Sequence, residues 1–184
     1  MKNKSVTIIK DYINYLDKKL VIDNTMVSLA FEKTILDVKY HYPLLIPEDI
    51  TNSIIYNNNE LAIFLFRLGR IFYNAGNQTA ISITHGLIRC LCSCEIYFSN
   101  DIDEGFYLVH STGTVIGSRN RIGKGFMIYQ NCTIGHGFDD ENGTEIGNNV
   151  TMLPYSSIIG SVRIGNNVVL GAYSFLKTDC DDNQ

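Results

Sequence analysis

The sequence predicts a small α-helical bundle followed by a parallel β-helix built of hexapeptide repeats. Two observations predict this division. Only three of the fifteen glycines lie in residues 1–100, and twelve lie in the last 84 residues. The spacing of apolar residues also changes, from every three or four residues in the first half to every six in the second. We therefore place an α-helical domain at residues 1–94 and a β-helix domain at residues 95–184.

The first half shows the apolar spacing of four amphipathic helices. Their approximate bounds are residues 6–20, 27–38, 59–73 and 77–91. Pro43 and Pro47 are expected to break the chain after the second helix, because proline cannot donate a backbone hydrogen bond. The turn Ala75-Gly76-Asn77 separates the last two helices. This half is therefore predicted to be a helical bundle.

The second half carries an aliphatic residue at every sixth position, which is the repeat of a parallel β-helix. Each hexad is expected to supply one short strand and one corner, with the aliphatic residue pointing inward. The series shifts once, by two residues, after Leu108. It reads Ile96, Ile102, Leu108, then Ile116, Ile122, Ile128, Ile134, Ile146, Met152, Ile158, Ile164, Leu170 and Leu176.

With three faces per turn, residues 18 apart are expected to stack inside the β-helix. This predicts two internal columns, namely Ile116, Ile134, Met152, Leu170 and Ile128, Ile146, Ile164. Only the hexad at Asp140 lacks its aliphatic residue. Residues 137–143 are therefore predicted to leave the β-helix as an exposed polar loop, and such loops often carry function.

Composition excludes several classes of protein. The chain has 184 residues, of which 45% are hydrophobic and 18% charged, and its formal net charge is -4. No basic block suggests a nucleic-acid partner, and no apolar run reaches the roughly 18 residues of a membrane span. The N-terminal residues do not resemble a signal peptide, so we expect a cytoplasmic protein.

Five cysteines are an odd number, and Cys90, Cys92 and Cys94 lie too close along the chain to pair easily with one another. This pattern favours reduced, structural thiols over disulfide bonds. A metal site formed by these three thiols and His85 is the alternative. We expect no metal.

Two segments of the second half resemble hexapeptide-repeat acyltransferases of the serine acetyltransferase type. One runs from Glu95-Ile96 to Leu108-Val109-His110-Ser111-Thr112-Gly113, and the other is Ile128-Tyr129-Gln130-Asn131-Cys132-Thr133-Ile134-Gly135-His136-Gly137. The resemblance covers about residues 60–176, including Phe66-Arg67-Leu68-Gly69-Arg70. It implies a left-handed β-helix that forms a homotrimer, binds acetyl-CoA between neighbouring subunits and acetylates a hydroxyl group. Whether the helical domain joins two trimers into a hexamer stays open.

The resemblance implies that His110 is the catalytic general base. An alcohol becomes a good nucleophile as its proton is removed, and a neutral imidazole suits that task near neutral pH. Members of the family carry an Asp fifteen residues before this His, where it orients the imidazole, and the corresponding residue here is Glu95. His136 is predicted to be an accessory group at the acyl-CoA thioester or the acceptor.

His110 and His136 are expected to lie at different corners of the β-helix. Each follows an inward aliphatic residue by two positions. They are 26 positions apart, or 24 after the two-residue shift is subtracted. This equals one turn of 18 residues plus one face of six. Two such side chains meet most easily across a threefold interface, which indicates a site formed between subunits.

The cofactor-binding prediction rests on the fold that the resemblance implies. Backbone N–H groups near Gly135 are expected to stabilise the thioester oxyanion. Small residues of the later turns are expected to receive the pantetheine arm, and two cations its phosphates. These residues are Gly147, Ser156, Gly171 and Ala172, with Arg163 and Lys177 as the cations.

Two departures from the serine enzymes weigh against serine as the acceptor. Those enzymes have an Asp just before the catalytic His, which binds the amino group of serine, whereas this chain has Val109. They also carry an Arg-His pair in the extruded loop, and residues 137–145 contain neither Arg nor His. Because an unpaired buried charge is costly, we predict acetylation of a sugar or surface-polysaccharide precursor, with serine O-acetylation in cysteine biosynthesis as the alternative.

Two other classes of function remain in view. A non-catalytic β-helix scaffold would use the helical half for assembly. A β-helix carbonic anhydrase would need three histidines around zinc, and only His110 and His136 lie in the β-helix.

Overall fold

Four helices precede the β-helix in the part of the chain that this computed structural model describes, which is Thr7, Asp11 and residues 23–137 and 142–184. They are α1 (Asn24–His41), α2 (Pro47–Tyr56), α3 (Asn58–Asn74) and α4 (Gln78–Cys92). The predicted helix over residues 6–20 lies outside the described residues, apart from Thr7 and Asp11. Among the described residues, no helix is long and apolar enough to cross a membrane.

Helices α1, α3 and α4 confirm three of the predicted helices. Their first turns are capped by side-chain oxygens of Asp23, Asn57 and Asn77, which accept backbone N–H groups that have no partner within the helix. Helix α2 was not predicted. Pro47 begins this helix rather than breaking the chain, because proline fits the first helical position, where no hydrogen bond is required of its nitrogen.

Within the described residues, thirteen short strands follow and form three parallel sheets. They are β1 (Glu95–Ile96), β2 (Asp101–Ile102), β3 (Tyr107–Leu108), β4 (Val115–Ile116), β5 (Arg121–Ile122), β6 (Met127–Ile128), β7 (Thr133–Gly135), β8 (Glu145–Ile146), β9 (Thr151–Met152), β10 (Ser157–Ile159), β11 (Arg163–Ile164), β12 (Val169–Leu170) and β13 (Phe175–Leu176). Face A contains β1-β4-β7-β10-β13, face B contains β2-β5-β8-β11, and face C contains β3-β6-β9-β12. The predicted fold, helices followed by a parallel β-helix of hexads, is confirmed.

The aliphatic residues stack in three internal columns. All of them except the partly buried Leu176 are buried, and each buried residue contributes roughly 1.5–3 kcal/mol by leaving water. The columns are Ile96, Ile116, Ile134, Ile158 and Leu176 on face A, Ile102, Ile122, Ile146 and Ile164 on face B, and Leu108, Ile128, Met152 and Leu170 on face C.

The predicted columns are wrong where they pass the loop. Ile134 pairs with Ile158 rather than Met152, and Ile128 pairs with Met152 rather than Ile146. One extra hexad separates the paired strands there, so the 18-residue spacing fails between β7 and β8. The prediction treated residues 137–143 as a loop outside the β-helix. It nevertheless included these residues when it counted 18 positions from one stacked residue to the next. Residues 138–141 of this predicted loop lie outside the described residues.

A buried ion pair joins the helices to the first turn of the β-helix. Arg67 of α3 donates two hydrogen bonds to the carboxylate of Asp37 of α1, each 2.7 Å long. Arg67 also donates to the backbone oxygen of Ile102 at 2.6 Å. The same carboxylate accepts the backbone N–H groups of Gly105 and Phe106. Burial raises the pKa of Asp37, and these donors oppose that rise.

Gly69 lets helix α3 approach the β-helix closely. A Cβ atom at this position would overlap the ring of Phe98. Phe98 in turn packs beside Phe66, with ring centroids 6.4 Å apart. The glycine therefore allows the two halves to share one apolar core.

We expect that Arg67→Met destabilises the protein by about 3–5 kcal/mol, because it leaves the buried carboxylate of Asp37 without a counter-ion. The measurement is the free energy of unfolding in urea. The double variant Arg67→Met/Asp37→Leu should recover most of the loss. Arg70→Met is the control, because Arg70 pairs with the exposed Asp101, and it should cost no more than about 1 kcal/mol. A loss below that value for Arg67→Met would contradict the expectation.

Candidate functional site

His110 lies at the corner that follows β3, and its side chain is exposed. The edge of its ring faces Tyr129, with ring centroids 6.4 Å apart. Within the described residues, the imidazole makes no hydrogen bond. Both ring nitrogens therefore remain available to a bound substrate.

The backbone around His110 is held by the helical segment. Asn59 of α3 donates to the backbone oxygen of Val109 at 2.9 Å and accepts the backbone N–H of Ser111 at 2.8 Å. Ser111 also donates from its hydroxyl to the backbone oxygen of Cys92 at the end of α4. Sequence reasoning missed Asn59, because its only signal is a contact between residues about fifty positions apart.

Glu95 lies beside His85 rather than in contact with His110. The Glu95 carboxylate is 3.6 Å from Nε2 of His85, beyond hydrogen-bond distance. Burial and the positive charge of Arg89 lower the pKa of His85, while Glu95 raises it less, so His85 favours its neutral form. In the described part of the chain, the Glu95 carboxylate accepts no hydrogen bond, and none joins it to His110.

His136 lies at the corner between faces A and B, at the base of the loop. Its Nε2 atom is 3.1 Å from the hydroxyl oxygen of Ser118, one turn below. Nη2 of Arg119 lies 3.4 Å from each ring nitrogen of His136. The structure therefore forms an Arg-His pair from two successive turns, outside residues 137–145, where the pair was expected. The 18-residue period was the available signal, since it places Ser118 directly below His136.

His110 follows a strand of face C, and His136 follows a strand of face A. The two imidazoles thus lie at different corners of the β-helix, as their spacing predicted. A single subunit presents them in different directions.

The predicted cofactor residues are spread over all three faces. Gly135 and Lys177 lie on face A, Gly147 and Arg163 line a groove on face B, and Gly171 and Ala172 follow face C. Ser156 is fully buried, and its hydroxyl lies 3.5 Å from the thiol of Cys132. The structure therefore removes the Ser156 side chain from the surface that a cofactor could contact.

The groove on face B has a volume of about 790 Å³ and is strongly acidic. Arg121 and Arg163 are its two cations, and Arg163 is already paired with Glu145 at 3.2 Å. The carboxylates in the lining are Asp101, Asp103, Glu145, Asp179, Asp181 and Asp182. Because like charges repel, this groove disfavours the phosphates of CoA, and this weighs against the prediction for Gly147 and Arg163.

Face C offers an uncharged surface above His110. Tyr129, Leu153 and Gly171 follow successive paired strands of this face. A Cβ atom added at Gly171 would meet nothing within 4 Å, so the surface there is open. Next to Tyr129, the Oε1 atom of Gln130 is buried and has no hydrogen-bond partner.

A second cavity, of about 360 Å³, lies between the helices and β3. Glu60 lines it and is only 6% exposed, and the hydroxyl of Tyr107 lies 3.4 Å from its carboxylate. Burial, together with Glu60 and Tyr42, raises the pKa of Tyr107, which therefore stays protonated. Asp49 also lines the cavity, and none of the side chains that line this cavity is cationic.

All five cysteines are free thiols. Burial raises the pKa of Cys92 to about 12, so this thiol is protonated and unreactive at neutral pH. In the described ranges, no group of three or more His, Cys, Asp or Glu side chains is arranged to hold a metal ion.

The family model of the bacterial transferase hexapeptide (six repeats) matches residues 143–178. A serine acetyltransferase of Staphylococcus epidermidis is 31% identical over 116 residues, which cover 61% of this chain and 54% of that protein. The serine acetyltransferase of Staphylococcus aureus is 29% identical over 116 residues, which cover the same fractions of the two chains. The chain spans about half the length of the curated relatives it matches.

Solved structures show the same fold. Serine acetyltransferase of Neisseria gonorrhoeae in complex with serine superposes with a TM-score of 0.73 at 23% identity, covering 87% of this chain and 66% of that one. A serine acetyltransferase in complex with CoA gives a TM-score of 0.72 at 19% identity, with the same coverage.

These findings support the resemblance to hexapeptide-repeat acyltransferases of the serine acetyltransferase type. They contradict the predicted sugar acceptor, because the relatives and structural neighbours described above are named serine acetyltransferases. The prediction gave too much weight to Val109 and to the composition of the loop. The alternative, serine O-acetylation, is favoured.

Proposed function

We propose that this protein transfers the acetyl group of acetyl-CoA to the hydroxyl of serine, with His110 as general base. The observation that carries the proposal is the exposed imidazole at a corner of a rigid β-helix, with its flanking backbone held by a helix. His110 takes the proton of the serine hydroxyl as the oxygen attacks the thioester carbonyl. The C–S bond then breaks, and the imidazolium returns the proton to the departing sulfur, which yields O-acetylserine and free CoA.

Glu95 is proposed to orient His110. Its carboxylate belongs to the strand that begins the β-helix, and it has no hydrogen bond of its own in the described residues. Because His85 favours the neutral form, this neighbour does not hold Glu95 in a full ion pair. The carboxylate is therefore available to accept the N–H of the catalytic imidazole and stabilise the imidazolium.

Acetyl-CoA is proposed to lie along face C. The uncharged column of Tyr129, Leu153 and Gly171 suits a pantetheine arm, and the surface is open at Gly171. This choice moves the cofactor away from the acidic groove of face B. Ala172 remains a proposed neighbour of the arm. Lys177 and Gly135 lie on face A, so their proposed roles, a phosphate contact and an oxyanion donor, require that they come from the neighbouring subunit.

A site shared between subunits of a homotrimer is part of this proposal. His110 and His136 lie at different corners, so one subunit can present His110 to the Arg119–His136 pair of its neighbour. Large exposed side chains on the last turn support such contact, among them Tyr173, 76% exposed, and Phe175, 63% exposed. Free thiols fit the reducing cytoplasm, where we place the protein.

Serine carries two charges that the site must balance. We propose that Arg119 and His136 receive its carboxylate, because a guanidinium binds carboxylates with directed hydrogen bonds. Glu60 is proposed to receive its ammonium group, since this buried carboxylate lines a cavity beside β3, the strand that leads to His110. The charge partners absent from the local sequence around His110 are thus supplied by other elements.

We expect that the protein releases CoA thiol from acetyl-CoA when serine is added, and that His110→Ala lowers kcat by at least about a hundredfold. The measurement is thiol release with serine and with a panel of neutral sugars. Arg121→Gln is the control, since Arg121 lies on face B, away from the corner that carries His110. Turnover of sugars but not serine, or an unchanged His110→Ala, would contradict the proposal. A chain without activity on either acceptor would favour a scaffold.

Glu95→Gln should lower kcat by at least about a hundredfold, because the neutral amide can no longer stabilise the imidazolium. His85→Gln is the matched control, since it removes the neighbour of Glu95 and leaves the carboxylate. This control should keep kcat within about twofold of the parent value. If the kcat of Glu95→Gln is no lower than that of His85→Gln, Glu95 does not orient His110.

Arg119→Gln and Glu60→Gln should each raise the KM for serine by about tenfold or more, because each loses a hydrogen bond to a charged group of the acceptor. The KM for acetyl-CoA should stay constant in both. Arg121→Gln, on the exposed surface of face B, is the matched control and should change neither constant. An unchanged KM for serine in Arg119→Gln would exclude the proposed carboxylate contact.

A further inference from the structure

The corner that carries His110 is irregular. The first turn of the β-helix is two residues longer than the regular repeat, since Glu95 pairs with Val115, whereas Val115 pairs with Thr133, 18 positions on. The two extra residues fall after Leu108, in the segment that contains His110. Regular corners of the β-helix share one backbone conformation. The corner of His110 cannot adopt that conformation, because it contains two extra residues.

Contacts from the helical segment compensate for this irregularity. The side-chain amide of Asn59 bridges the two peptides on either side of His110, through the oxygen of Val109 and the N–H of Ser111. Gly113 completes the arrangement, because its N–H donates to the backbone oxygen of Ser93 at 2.7 Å. The backbone on both sides of His110 is thereby fixed from outside the β-helix.

Asn59 is itself held in place. It occupies the first turn of α3, and its own N–H donates to the side-chain oxygen of the N-cap residue Asn57 at 3.0 Å. Further along the same helix, Arg67 is anchored to Asp37 and to the backbone of Ile102. Helix α3 therefore cannot shift easily relative to the first turn of the β-helix. The side-chain amide of Asn59 is thereby held against the backbone of His110.

We infer that Asn59 is a positioning residue for His110: it aims the imidazole by fixing the two peptides that flank it. This inference rests on the proposed function, in which His110 is the base. The imidazole has no hydrogen bond of its own among the described residues, so the flanking peptides determine where its side chain begins, and Glu95 can accept the imidazole N–H only from that position. Displacing a catalytic group by about 1 Å can cost a hundredfold in rate.

The test compares Asn59→Ala and Asn59→Asp with Asn77→Ala in the full-length chain. Asn77 caps α4 as a side-chain acceptor, so its loss weakens a helix of the same segment without touching the backbone of His110. We expect that Asn59→Ala lowers kcat by about 10- to 100-fold, with the KM for acetyl-CoA within about twofold. Asn59→Asp keeps the acceptor for Ser111 and loses the donor to Val109, so its kcat should lie between the parent and Asn59→Ala. Asn77→Ala should leave kcat unchanged.

Hydrogen exchange of the Ser111 amide provides a readout that does not depend on activity. Its protection should be lost in Asn59→Ala and retained in Asn59→Asp and Asn77→Ala. Unchanged protection and kcat in Asn59→Ala would overturn the inference, and so would equal losses of kcat in Asn59→Ala and Asn77→Ala. If the parent protein transfers no acetyl group to serine, the proposed function fails. The exchange data then still decide whether Asn59 holds the backbone around His110.

Discussion

The ion pair between Arg67 and Asp37 determines where the helices sit on the first turn of the β-helix. It is buried, so each charge depends on the other, and its remaining hydrogen bonds go to the backbone of that turn. Apolar packing alone would tolerate some sliding between the two halves. These directed bonds, with the close approach at Gly69, select one arrangement. Helix α3 thereby brings Asn59 against the backbone of His110.

The two halves of the molecule contribute differently to the candidate site. The β-helix supplies rigid corners and open faces, because its columns of aliphatic residues admit one register on each side of the loop. The helices supply the buried carboxylate of Glu60 and the amide of Asn59. The faces of the β-helix also differ in charge. The groove on face B is acidic, whereas face C is uncharged above His110. The acceptor and the cofactor are accordingly proposed to occupy different surfaces.

The outcome for individual elements shows what local patterns can predict. Pro47 was expected to break the chain and instead begins a helix, since only the backbone conformation that follows it distinguishes these cases. The columns were predicted correctly up to the loop, and then the extra hexad shifted the register. Glu95 lies at the position of an orienting carboxylate, yet His85 of helix α4 is its neighbour in this chain. Only the last of these differences arises from a partner on another element; the first two arise from the local backbone and from the inserted hexad.

The sequence by itself determined the division into helices and a β-helix, the inward positions of the aliphatic residues, and the different corners of His110 and His136. These properties follow from short periods along the chain, because a strand and a corner repeat every six residues. Only the tertiary structure decided which residues surround those corners: Asn59 beside His110, and Arg119 beside His136. The 18-residue period places Arg119 on the turn below His136, although only the structure shows their contact. Asn59 comes from a helix about fifty positions away, and no local pattern of residues encodes a contact that packing alone creates.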